Sequence, residues 1–276
     1  MTQKVWFGIL ALVNSRIDDG SLSMECPDPC PDNAGTIGTD RNAFLCRIRA
    51  DIPGLGNTNL SRRDIFQPAI LSILDLIEFC YRCVAKPIQG QEHLFFQHYH
   101  LDFDREEGQR LFREDINRIF SRNGLVFELG MDGRIKRVVP QAFQNSIEEL
   151  RTIQTGDRDL DNLLNIACSK FLSPNPNDRK DALEKLWDAW ERLKSIYQGQ
   201  TGDKRSSTRK LLDSAATEPQ FRNLLENEAL FLTQAGNAFH IRHFETSKTP
   251  LKKGEHVDYL FYRLFSLIHL LLRSRT

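Results

Sequence analysis

The sequence predicts a mostly α-helical protein of two domains: a small α+β N-terminal domain with one β-hairpin over residues 1–140, and a helical bundle over residues 141–276. Three observations carry this reading. Apolar residues recur at helical spacing in one segment after another. A strong hairpin signal, Asp132-Gly133, stands between the strand-like runs Leu125–Leu129 and Arg134–Val139. After Pro140 the pattern is helical throughout, and a chain of 276 residues has room for two ordinary domains.

In chain order, Val5–Arg16 reads as a first helix with Trp6, Ile9, Leu10 and Val13 on one side, broken by Asp18-Asp19-Gly20. Residues 21–40 hold three Pro, two Gly and four Asp or Asn, which reads as a long loop that is either pinned or mobile. Asp40 caps a helix over Arg41–Ile52, closed by Pro53-Gly54. A stronger helix runs from Ser61 to Ala85 with Pro68 in its first turns and Ile70, Ile73, Leu74 and Ile77 at core spacing. His93–Asp104 alternates, and Asp104 opens a helix whose face is Leu111, Phe112, Ile116, Ile119 and Phe120, stopped by Asn123-Gly124. Beyond the hairpin come helices over Gln141–Gln154, Asp157–Phe171, Asp178–Tyr197, Ser206–Ala216, Pro219–Ala235 and Glu255–Arg273. The third of these places Leu183, Leu186, Trp187, Trp190, Leu193 and Tyr197 on one stripe behind an Asn177-Asp178 cap.

Charge bounds the function. With 37 basic and 37 acidic residues the chain has no global field to draw it to nucleic acid or membrane, which argues against a dedicated DNA binder and requires any nucleic-acid site to be a local patch. The nearest such patch is Gly199–Arg209, with Lys204, Arg205 and Arg209; otherwise it is a solvated linker. Val5–Val13 lacks the flanks of a secretory leader, and Val257–Leu272 carries Asp258, Arg263 and His269 and is too short to span a bilayer. No membrane association is expected, and six Cys without a leader point to a reducing, cytoplasmic location with free thiols. The final helix is apolar around more than half its circumference, which predicts a homodimer.

Chemistry in the C-terminal half concentrates in Asn237–Lys248. His240, Arg242, His243, Glu245 and Lys248 fall within nine residues, between anchors Phe239, Ile241 and Phe244. Imidazoles titrating near neutrality beside fixed cations suit acid-base work on a phosphodiester. The simpler reading is a polar loop on a bundle, with Arg242 and Glu245 as an ion pair. One carboxylate is too few to hold a divalent ion there, so neither a metal nor a cofactor is expected. No Gly-rich phosphate loop or Gly-x-Ser-x-Gly elbow occurs.

Two metal constellations are visible in the N-terminal half. Cys26, Cys30, Cys80 and Cys83 could form a four-thiolate zinc site, although buried structural thiols are the preferred reading. His98, His100, Asp102 and Asp104 share one face of an extended segment, with His93 nearby; a surface strand whose Asp104 caps the next helix is preferred there.

Arg242-His243 with Lys248 resembles the Arg-polar-x4-to-6-His motif of the HEPN superfamily, with Lys248 standing where the closing His is expected. The run from Phe103 to Gly124, with Gly38-Thr39-Asp40 upstream, resembles the N-terminal domain of AbiJ-type abortive-infection proteins. Ala182–Lys194, Ile241–His243 and Val257–Tyr262 resemble the HEPN-type domain paired with it. These resemblances imply a phage-defence protein with a sensing or regulatory N-terminal domain and a C-terminal HEPN-like bundle. That bundle would be a dimeric, metal-independent ribonuclease, or a catalytically silent dimerisation or partner-binding module; a regulatory partner protein is a further expectation. In the ribonuclease, Arg242 would bind the scissile phosphate, His243 or His240 would be the base, and Lys248 would stabilise charge.

Overall fold

The computed structural model describes residues 1–56, 58, 60, 68–196, 204–239, 241 and 249–274, without the side chains of Lys204 and Arg205. The chain divides into two compact units, Met1–Val138 and Val139–Thr276. Among the described residues there are ten α-helices and three two-stranded antiparallel hairpins, so the architecture is mostly helical. No helix among them is long and apolar enough to cross a membrane.

In the first unit, α1 (Gln3–Asp18) buries Val5, Trp6, Ile9, Leu10, Val13 and Ile17 in the shared core. Residues 21–40, expected as an irregular loop, contain a hairpin of β1 (Pro27–Pro29) and β2 (Thr36–Thr39) with Pro27 opposite Thr39. Proline donates no ladder hydrogen bond, so a strand carrying two of them is tolerated in a short edge pairing and reads as a loop from sequence. Asp40 then caps α2 (Arg41–Asp51), accepting from the backbone N–H groups of Asn42 and Ala43 at 2.8 and 3.0 Å. The strong helix expected from Ser61 is described as α3 (Ile70–Cys83), starting after Pro68 rather than including it; residues 61–67 lie outside the described residues.

The second hairpin is the larger departure. β3 (Lys86–His93) pairs with β4 (His98–Asp104), Lys86 opposite Asp104 and His93 opposite His98. Alternation marked the second strand, but Pro87 and Gly90 disguise the first. The connection, Leu94-Phe95-Phe96-Gln97, lacks ordinary turn residues, and Gln97 takes the left-handed conformation at φ 54°. Thus three hairpins stand where one was expected. Asp104 ends β4 and caps α4 (Arg105–Arg122), accepting from the Glu107 N–H at 3.0 Å. The anticipated hairpin is β5 (Phe127–Leu129) with β6 (Ile135–Arg137), and the Tyr81 hydroxyl donates to the Met131 carbonyl in its turn.

The second unit consists of α5 (Gln141–Thr152), α6 (Arg158–Phe171), α7 (Pro176–Leu193), α8 (Lys204–Ala215), α9 (Pro219–Ala238) and α10 (Gly254–Arg273). The α7 stripe from Leu183 to Leu193 is buried as expected, with Tyr197 outside the described residues, while the cap moves to Asn175 because Pro176 takes the first helical position. The basic stretch read as a linker is partly helical, since α8 begins at Lys204. At the centre, Phe171 stacks on Phe261 with centroids 3.8 Å apart, and Phe143, Trp187 and Trp190 fill the same core. α10 packs against α7, α8 and α9, so its broad apolar circumference is covered within its own bundle, with Tyr259 left exposed.

Gly108 brings α4 against the start of β3. A Cβ on it would lie 2.5 Å from the Ala85 Cα, an approach that backbone cannot relieve by a rotamer change. Gly→Ala normally stabilises a helix interior by about 1 kcal/mol. Gly108→Ala is expected to reverse the sign, destabilising the first unit by about 1–3 kcal/mol; an unchanged or raised melting temperature would contradict this packing.

Candidate metal centre

His240, Arg242, His243, Glu245 and Lys248 lie outside the described residues. The described ends of their segment are held together: Phe239 bridges Thr249, and the Thr249 N–H donates to the Ala238 carbonyl at 3.3 Å. Of the basic patch, the side chains of Lys204 and Arg205 are likewise outside, whereas Arg209 lines a cavity of about 470 Å³ with Trp190, Lys194, Thr208, Leu212 and Glu226.

Chemistry-bearing side chains do converge in the first unit. Cys30 follows β1 in a tight turn: its N–H donates to the Gly35 carbonyl, its carbonyl accepts from Asn33 N–H, and the Asp32 carboxylate accepts from Ala34 N–H. Asn33 has φ 59°, a conformation Asn tolerates. This turn aims the Cys30 sulfur at the β3–β4 hairpin. There the register places His93 opposite His98, and His100, two residues on, shares the His98 face.

Cys30 Sγ lies 3.1 Å from His98 Nε2 and 3.3 Å from His93 Nδ1. One donor atom from each of Cys30, His93, His98 and His100 lies within 4.8 Å of every other. The second nitrogen of His93, Nε2, is 3.4 Å from an Asp32 oxygen. His100 Nε2 is buried with no hydrogen-bond partner. Gly35 makes room for that ring, since a Cβ there would lie 2.6 Å from His100 Cγ. Phe96 stacks over His98 and meets His93 edge-on, shielding the cluster on the side of the hairpin tip.

Burial pushes the Cys30 thiol above its ordinary value, and the hydrogen bond to the Asp32 carboxylate adds to the rise; the same hydrogen bond, followed by the one from Ala34 N–H, holds Asp32 below the usual carboxylate range.

Neither sequence constellation forms as drawn. His98 and His100 join the cluster, but Asp102 and Asp104 do not. At ~3.3 Å per residue they stand roughly 13 and 20 Å further along the strand from His98, so a shared face is not proximity. Of the four thiols only Cys30 takes part among the described residues. Cys80 and Cys83 belong to the α3 core, where burial raises Cys80 strongly and Cys83 to about 11, and Cys26 accepts from Arg47 at 3.8 Å. The missed pairing joins Cys30 to residues 63 and 68 positions away, for which one sequence contains no signal beyond the residue types.

A second polar recess in this unit, of about 480 Å³, gathers Arg47, Arg82 and Arg105 around Phe79. Its acids are engaged: Glu25 meets Arg105 at 2.7 Å and Arg47 at 3.3 Å, and Asp51 lies 3.8 Å from Arg82. The Arg105 hydrogen bond is the main reason the Glu25 carboxyl sits below its ordinary range.

Compared with known proteins, residues 1–152 match a family model described as AbiJ N-terminal domain 4, a match that runs through α5. No curated protein and no solved structure matches the chain.

Five of the six cysteines are buried and Cys46 is exposed. Titration of the native protein with a thiol-reactive chromogen is therefore expected to show one fast group, absent in Cys46→Ser, and five that react only on unfolding. Two or more fast thiols in the native protein would contradict the placement of the cysteines.

Proposed function

The chain belongs to the AbiJ N-terminal domain 4 family, and on that premise we propose that it is an abortive-infection phage-defence protein whose second unit is a HEPN-like effector. The family match over residues 1–152 carries the defence reading, and the effector reading rests on the residue types of the C-terminal half. The first unit senses or regulates; the second acts on RNA in the cytoplasm through Arg242, His243 and Lys248. Arg242 binds the scissile phosphate, His243 or His240 takes the proton of the ribose 2′-hydroxyl, Lys248 stabilises the developing charge, and Glu245 orients a neighbouring cation or imidazole. Arg209, with Lys204 and Arg205, guides the RNA backbone. No metal or cofactor enters this chemistry. Support comes from the residue types between α9 and α10 and from the bridge that ties Phe239 to Thr249.

The second reading is a catalytically silent dimerisation or partner-binding module, favoured by Lys248 at the position of the closing His. Since the apolar face of α10 is covered, a homodimer interface is better sought at the exposed Phe221, Leu224 and Phe231 of α9 with Tyr259 of α10.

Expression of the chain is expected to arrest growth, and Arg242→Ala to relieve the arrest. Purified protein should cut RNA but not DNA, leave a cyclic phosphate, and work faster as pH rises through the imidazole range near ~6.5. Cleavage should persist when EDTA is added with the substrate, with Cys30→Ser as the control for any metal in the first unit. Lys248→Ala should cost more than Lys248→Arg, because a fixed charge is what the position supplies. Intact RNA with wild type, Arg242→Ala and His243→Ala alike, alongside growth arrest by all three, would discard the ribonuclease in favour of the silent module.

A further inference from the structure

We propose that Cys30, His93, His98 and His100 bind one Zn²⁺ ion in a closed four-ligand site that clamps the β1–β2 turn to the β3–β4 hairpin. This goes beyond the defence reading and does not rest on the ribonuclease.

The donor set and its spacing carry the inference. Zinc bound by one thiolate and three imidazoles has Zn–S of about 2.3 Å and Zn–N of about 2.0–2.1 Å, which makes the edges of the ligand tetrahedron roughly 3.3–3.6 Å. Two edges already lie at this length or slightly inside it, Cys30 Sγ to His98 Nε2 at 3.1 Å and to His93 Nδ1 at 3.3 Å. No pair of donors is more than 4.8 Å apart, so rotamer adjustments of little more than an ångström close the site.

Hydrogen bonding alone does not account for the arrangement. The Cys30 sulfur can donate one hydrogen bond and accept another, which serves the two ring nitrogens beside it, but a third, His100 Nε2, is buried without a partner. A cation at the centre satisfies all of them through lone pairs, with the thiol proton released to solvent as the thiolate binds. The outer shell fits as well. His93 turns Nδ1 inward and Nε2 toward Asp32, the carboxylate–histidine arrangement that orients metal-bound imidazoles. Gly35 leaves the space that the His100 ring occupies.

Ligand type and number select the ion and its role. Imidazole with thiolate favours zinc over magnesium or calcium, which take oxygen. Four protein ligands leave no position for water or substrate, so the site is structural. His93 and His98 flank the exposed Leu94-Phe95 tip, and the ion fixes both ends of that tip to the turn at Cys30.

The test uses the untagged full-length protein, purified without chelator. Metal analysis is expected to find one zinc per chain. Replacement by Co²⁺ should give the visible ligand-field bands of a tetrahedral ion and a near-ultraviolet thiolate-to-cobalt charge-transfer band. Cys30→Ser should lose the charge-transfer band; His100→Ala and Gly35→Ala should each weaken binding at least tenfold, the second without removing a ligand. Cys80→Ser, outside the cluster, should keep its zinc. Chelation should lower the melting temperature of wild type but not of His100→Ala. If a ligand variant fails to fold, titration of wild type against a chromophoric chelator of roughly nanomolar zinc affinity decides. Wild type that cannot compete with that chelator, or a cobalt spectrum lacking the sulfur band, overturns the site.

Discussion

The first unit depends on the register of one antiparallel ladder, β3 with β4. At one end, Lys86 pairs with Asp104. Asp104 caps α4 there, and the backbone of Ala85 and Lys86 lies against Gly108 one turn into that helix. At the other end, His93 pairs with His98 and the imidazoles gather. A slip of one residue would turn His98 and His100 to the opposite face and carry Asp104 away from the α4 N-terminus. The hairpin that forms the candidate metal centre is therefore also the one that seats the longest helix of the unit against the core, with a one-residue register shift between Gln89 and Glu92 separating its two ends.

The second unit is organised by burial rather than by pairing. α10 supplies Phe261, Leu264, Phe265 and Ile268 to a core shared with α6 and α7, and its Arg263 reaches Glu228 of α9 and lies over Phe231. Because α9 and α10 are both held in this way, Ala238 and Gly254 are fixed points, and the Phe239–Thr249 bridge narrows the gap between them.

Helix existence was legible in the sequence because a helix announces itself locally, through apolar period and caps such as Asp40 and Asp104. The second unit, built of helices with local stripes, was read nearly element by element. The hairpins were legible only where turn chemistry was ordinary, at Asp132-Gly133. β1–β2 hid behind Pro27 and Pro29, and β3–β4 behind an apolar tip whose left-handed residue is a Gln. Of the candidate metal centre, three imidazoles could be seen near one another in sequence, but the ligand that completes it, Cys30, was grouped with other cysteines. Matching like residues with like is a sequence habit; space grouped a thiol with imidazoles, and the carboxylates at period two ran away along the strand.

The way the cluster is assembled determines what an ion there would do. Bringing Cys30 to His93 closes a loop of 63 residues, an ordering cost of about 4 kcal/mol for a free chain. In this unit burial of Trp6, Phe44, Phe79 and Phe112 and the β3–β4 ladder work against that cost. The four donors come from segments far apart in the chain, so the folded unit brings them together and the unfolded chain scatters them. Binding confined to the folded state contributes RT ln(1 + [M]/Kd), about 4 kcal/mol at a thousand times Kd. The clamp thus acts as a cross-link whose strength follows metal availability. Such a cross-link, unlike a disulfide, forms without an oxidant.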